Sequence, residues 1–184
     1  MLDVHLTQVW WVLPVSILKD VYEAMFHISL DRSQIYSLLV GLPQYLIKRL
    51  QEVQNAAARS ILRTPRSEHI SPLLQNLHWL PVNRRTLHKV AALCHSSLSG
   101  SGPQYLSDHT HVYIPARSLH SSSDTRILST SNVKLKSYGQ RSFAYHGPST
   151  WNSWPLALRY QQESDCFKRA LKTHLFSLNE WIKH

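Results

Sequence analysis

Apolar positions recur at helical spacing along much of this chain, most clearly between Gly41 and Pro81. There Leu46, Leu50, Val53, Ala57 and Ile61 follow one another at intervals of four, three, four and four. That is one apolar stripe on a long helix. Lys48, Glu52, Asn55, Arg59 and Arg63 fall on the opposite side. Pro43, with its fixed φ, suits a first helical residue, and Pro65 stops the run, so the pattern predicts a helix over 43–63. Ser71-Pro72 reads as the N-cap and first residue of a short second helix, which ends in Leu77, Trp79 and Leu80 before Pro81.

Further along, Leu87, Val90, Ala91, Cys94 and Leu98 make the stripe of a helix over 83–99, with Arg85 and Lys89 opposite. Gly100 and Gly102 follow it, both free to adopt the left-handed conformation of a C-cap. PQYLSD is a short turn of helix or a loop. Over 107–137 Ser, His, Thr, Asp and Arg dominate, the composition of a long surface loop, with at most a short strand around Arg126 to Leu128. Val133 to Tyr138 alternates weakly as a second strand. SFAYHGPSTWNSWP reads as a buried aromatic connector anchored by Trp151 and Trp154. A last helix over 165–182 is capped by Ser164. Phe167, Ala170, Leu171, His174, Leu175 and Leu178 share one face, with Phe176 on the other beside Arg169 and Lys172.

The expected fold is therefore mainly α: a small helical bundle with a minor irregular, β-containing part towards the C-terminus. Its core should hold Leu46, Leu50, Val53, Ala57, Ile61, Leu77, Trp79, Leu87, Ala91 and Cys94. The chain divides into an N-terminal segment 1–40, a helical region 41–106, the polar loop 107–137 and a C-terminal part 138–184. In the first segment LKDVYEAMFHISL is the best helix candidate, with Val21, Met25 and Ile28 on one face. Trp10 and Trp11 would form an association patch if left exposed.

Composition changes this picture chiefly through charge. The 184 residues carry a formal charge of +9 and a pI near 9.8, which favours polyanionic partners, nucleic acid before acidic membrane. The excess is local. Residues 1–40 hold two basic and four acidic side chains, whereas residues 41–90 hold eight and two, or +6. Lys48, Arg59, Arg63, Arg66, Arg84, Arg85 and Lys89 are thus the candidate nucleic-acid-binding residues, each phosphate contact adding affinity and salt dependence. The competing account is a solvated helix face.

Other chemistries find less support. Val9 to Leu18 is a ten-residue apolar run broken by Pro14, too short to cross a bilayer and without the basic flank of a signal peptide. The expectation is no membrane partner. Two cysteines make no disulfide framework, which suits a reducing intracellular compartment, nuclear or cytoplasmic. Cys94, His95, His109 and His111 have donor atoms suited to zinc but no ligand spacing, so no metal and no cofactor are expected. No Gly-rich phosphate loop is present, and no one serine is singled out with a histidine as a nucleophile and base.

QEVQNAAARSIL followed by HISPLLQNLHWLPVNRR resembles the C-terminal region of reverse transcriptases of LINE-type, non-LTR retrotransposons, the jockey-like and chicken-repeat-like group. The likeness continues in PQYLSD, IPARSLHSSSDTRIL and KLKSYGQRSFAYHGPSTWNSWP and ends with CFKRALKTHLFSL, covering residues 36–178. Residues 1–35 match poorly. The resemblance implies the thumb and the region beyond it, a part that closes on template and primer. Polymerase chemistry needs paired aspartates around two metal ions about 4 Å apart. The family carries them on an Asp-Asp hairpin in its palm, and this sequence contains no Asp-Asp pair. The implied protein is not an enzyme. It is a non-catalytic fragment that holds RNA or an RNA–DNA duplex. The alternatives are a translated remnant with no selected activity, or a domesticated module using its apolar grooves for a protein partner.

Overall fold

A computed structural model describes residues 42–114, 126–131 and 142–178. These residues form seven helices: α1 (Gln44–Leu62), α2 (Ile70–Asn76), α3 (Val82–Leu98), α4 (Gln104–Ser107), α5 (Phe143–Asn152), α6 (Leu156–Arg159) and α7 (Ser164–Ser177). The fold is mainly α, as the periodicity predicts. The expected helix around Val21 to Ile28 and the strand at Val133 to Tyr138 lie outside the described residues. The last helix, expected to run to 182, ends at Ser177 with Leu178 as its extended C-cap.

Proline sets the start of four helices. Pro43, Pro81, Pro103 and Pro155 occupy the N-cap positions of α1, α3, α4 and α6, each with φ between −53° and −60° and an extended ψ. Their carbonyls accept the first helical bonds, from Leu46, Arg85, Leu106 and Leu158. A ring-fixed φ costs nothing there, and the missing N–H belongs to no helical ladder. Pro43 therefore stands one place before the first helical residue, not at it. The second helix also begins earlier than predicted: Ile70 is its first residue and His69 its cap, with Ser71 and Pro72 already inside.

The buried face of α1 is not the apolar stripe. It consists of Ile47, Gln51, Gln54, Ala58 and Ile61, about a quarter-turn round the helix from Leu46, Leu50 and Val53. Val53 is 59% exposed, while Leu46, Leu50 and Ala57 are half-buried. Hydrogen bonding causes the rotation. Gln54 Nε2 donates to the Leu80 carbonyl at 2.9 Å, and Gln51 Oε1 accepts the Val82 N–H at 2.9 Å. Gln51 Nε2 donates in turn to Gln54 Oε1. Both backbone groups lie where α3 begins, and a helix start leaves its first N–H groups without intrahelical partners. Two glutamines on α1 satisfy that corner across a gap of about thirty residues.

Two hydrophobic clusters result. The smaller joins Ala58 and Ile61 of α1 to Ile70, Leu73, Leu74, Leu77 and Trp79. The larger gathers Leu80, Val90, Ala91 and Cys94 with Leu128, Trp151, Trp154, Leu158 and, from α7, Phe167, Leu171 and Leu175. Of the expected core, Ile61, Leu77, Trp79, Ala91 and Cys94 are buried, and Leu87 packs at the margin. Phe176, expected on the outer face of α7, also packs against the larger cluster. Ser164 is the first residue of α7 and Glu163 its N-cap.

The expected aromatic connector is instead the helix α5, despite Pro148 within it. Pro148 has no N–H for the Ala144 carbonyl four residues back, but its ring is fully buried. Gly147 lets α5 approach α3: a Cβ there would lie 3.1 Å from Phe143 ring carbons and 3.2 Å from Cys94 Sγ. Gly147→Ala should therefore lower the melting temperature. The helix-propensity gain of about 1 kcal/mol is outweighed by an overpacking cost of about 1–3 kcal/mol. Cys94→Ala in the same chain should restore part of the loss. A single variant that melts higher than the parent would show the two helices to be less closely packed.

Asn152 then pins the chain that crosses this core. Its side-chain amide accepts from Leu128 N at 2.9 Å and donates to Leu128 O at 2.8 Å, as a neighbouring strand would. The short strand expected at 126–128 is an isolated antiparallel bridge between Val112 and Leu128, flanked by Tyr113 N to Ile127 O and Ser129 N to His111 O.

Candidate nucleic-acid interface

The cations expected to bind phosphate come from α1, the turn after it, and α3. Lys48 is on the exposed side of α1, roughly 22 Å along the axis from Arg63 at 1.5 Å per residue. Arg59 is half-buried and turned inward to the chain: its Nη2 donates to the Glu68 carbonyl at 3.2 Å, folding the 63–69 turn back on the helix. Arg63 closes α1 in the left-handed region at φ 53°, and the next N–H, of Thr64, bonds back to the Arg59 carbonyl. Arg63 and Arg66 are both exposed on this turn.

On α3 the three candidates part company. Arg84 is buried, and its Nη1 donates to the Leu175 carbonyl at 2.7 Å. That carbonyl belongs to the last turn of α7, where a cation meets the negative end of the helix dipole. Arg84 thus ties α3 to α7. Arg85 and Lys89 sit one turn apart on the outer side, half-buried. Both act on His88, whose pKa is lowered, first by burial. A bond to the Lys168 carbonyl opposes this, and the charges of Lys172, Lys89 and Arg85 lower it further. The candidates that keep an outward place thus come from two segments, Arg63 with Arg66 on the turn after α1 and Arg85 with Lys89 on α3, and Lys48 stands apart from Arg63 along α1. Lys172 was not among the residues expected here. The signal for it is a second basic excess, five charges over residues 91–184, on a helix whose apolar stripe points to packing.

Of the candidate zinc donors, Cys94 and His95 are buried, while His109 and His111 are exposed after α4. Cys94 is buried, and desolvation pushes its thiol up to about 12, so no thiolate forms near neutrality. Cys166 is raised by its hydrogen bond to Glu163. His95 is buried, bonded through Nε2 to the Gln161 carbonyl at 2.9 Å and stacked on Phe167 with ring centres 4.5 Å apart. Ser99 Oγ lies 3.5 Å from His95 Nδ1 but donates to the His95 carbonyl of its own helix. His146 is lowered by burial. Among the described residues no group of three or more His, Cys, Asp or Glu could hold a metal ion, and no helix is long and apolar enough to cross a membrane.

Comparison with protein-family models, with curated proteins and with solved structures finds no match in any of the three.

Proposed function

We propose that this chain is a non-catalytic piece of a LINE-type reverse transcriptase whose helices grip the backbone of RNA or of an RNA–DNA duplex without reading its sequence. The observation that carries this reading is the placement of charge. Residues 41–90 hold +6 of the total +9, and Arg63, Arg66 and Lys48 are exposed, clear of the two cores. Phosphates are alike at every step of a duplex, so such a surface would position a strand and carry no base information. The ordered motifs over residues 36–178 supply the polymerase ancestry. Without an Asp-Asp pair the chain would bind and not extend a primer.

The test uses Arg63→Gly with Arg66→Gln. Glycine suits the left-handed position of Arg63, so the variant removes charge and relieves backbone strain together. Binding of a labelled RNA–DNA duplex of random sequence should weaken equally for unrelated sequences. The log–log slope of affinity against salt should fall by about two, one for each phosphate that is no longer neutralised. Failure of the parent to bind at low salt, or an unchanged slope in the variant, would overturn this reading.

A further inference from the structure

The seam between α3 and α7 carries cations on both sides. Two contacts fix its register, Arg84 to the Leu175 carbonyl and His88 Nε2 to the Lys168 carbonyl at 3.1 Å, and His95 Nε2 bonds the Gln161 carbonyl just before α7 begins. Numbers rise along α3 as they fall along α7, so the helices run antiparallel. Lys168 and Lys172 of α7 therefore stand opposite the stretch of α3 that carries Arg85 and Lys89. Each pair is spaced four residues, about 6 Å along its helix. His88 lies on the seam among them, and Lys172, Lys89 and Arg85 all depress its protonation.

We propose that Arg85 and Lys89 of α3 with Lys168 and Lys172 of α7 form a seat for consecutive phosphodiesters of a nucleic-acid strand, centred on His88. The inference rests on the nucleic-acid reading above and extends it to a second helix pair. Four cations spread two by two along a seam fit an extended, repeating anion better than a compact one. Each pair has the spacing of successive phosphates along a strand. Lys168 is bonded to Asp165 at 3.5 Å in an exposed pair, the kind of contact that a phosphate exchanges readily. Among the large exposed apolar side chains of the described residues, Val53, Tyr105, Ile114 and Leu156 belong to other elements, and Leu178 stands at the C-cap of α7, past the end of the seat. None of them falls within 85–89 or 168–172, where a lipid surface would need an apolar wedge.

His88 makes the seat observable from inside. A phosphate beside it would offset the charges that disfavour its protonated form, so its pKa must rise on binding. The experiment follows His88 by NMR through a pH titration of the full chain, with and without the random-sequence duplex. It also measures the salt dependence of duplex affinity for Lys168→Gln with Lys172→Gln. The expected results are an upward shift of His88 on binding and a slope reduced by about two in the variant. Lys168→Arg with Lys172→Arg should keep the parent slope, separating charge from folding. If the parent binds and Arg63→Gly with Arg66→Gln weakens it, yet His88 does not shift and the lysine variant keeps its slope, the seat is wrong and the reading above stands. No duplex binding by the parent overturns both. If the lysine variant loses affinity for anionic phospholipid vesicles and not for the duplex, the seat serves a lipid headgroup and the proposal falls.

Discussion

Trp151→Ala should cost about 3–5 kcal/mol of folding stability, the range for removing a buried tryptophan or phenylalanine. Trp151 is fully buried at the centre of the larger core. Its ring centre lies 5.6 Å from that of Phe167 and 6.3 Å from that of His95. Its Nε1 donates to the Arg126 carbonyl at 2.8 Å. Alanine would leave a cavity between α3, α5 and α7, and the Arg126 carbonyl would keep the longer bond from Arg159 Nη1 at 3.5 Å in place of the short one. Trp151→Phe keeps much of the volume and loses the hydrogen bond, so it should cost less. Urea denaturation of the three proteins measures both differences. A loss below about 1 kcal/mol for the alanine variant would show that α5 does not hold these helices together.

Neighbouring residues on α1 should behave in opposite ways. Gln54 is 1% exposed and holds the Leu80 carbonyl. Gln54→Ala strands that carbonyl, and one half of Gln51's pairing with it, at a cost of about 1–3 kcal/mol for an unsatisfied buried group. Val53→Ala, on the exposed side, should stay within about 0.5 kcal/mol. Leu50→Ala should fall between, because Leu50 is only half-buried. Thermal melts of the three variants decide the matter. The reverse order, valine costly and glutamine silent, would turn α1 back to the face that its apolar stripe suggests.

That contrast shows what could be read from the sequence and what could not. Periodicity located both ends of α1 and α3 and the start of α7 within a residue or two, and it marked Ile61, Ala91, Cys94, Phe167, Leu171 and Leu175 as inward. It put the wrong face of α1 inward, because apolar spacing gives the period of a helix and not its partner. The amides of Gln51 and Gln54 acquire meaning only when a distant helix start supplies a carbonyl and an N–H. Gly147-Pro148 hid α5 for a similar reason. Two local breakers signal a turn until Cys94 is seen lying against the glycine. Among the basic residues, charge alone could not distinguish Arg84, which closes α7, from Arg63 and Arg66 on the exposed turn.

Trp79 and Leu80 are consecutive, yet Trp79 belongs to the smaller core and Leu80 to the larger. The peptide between them is the boundary between the two cores. The α1–α2 unit has the fewer buried side chains, and polar amides fasten it at the corner near Leu80 and Val82. Elements with little buried apolar surface open at lower free energy than the rest of a fold. Backbone amides on the α2 side of that peptide should thus exchange with solvent deuterium through partial opening. Those of α3 near Ala91 and Cys94 would wait for the whole chain to unfold. Over a single bond, protection from exchange would pass from one tier to another.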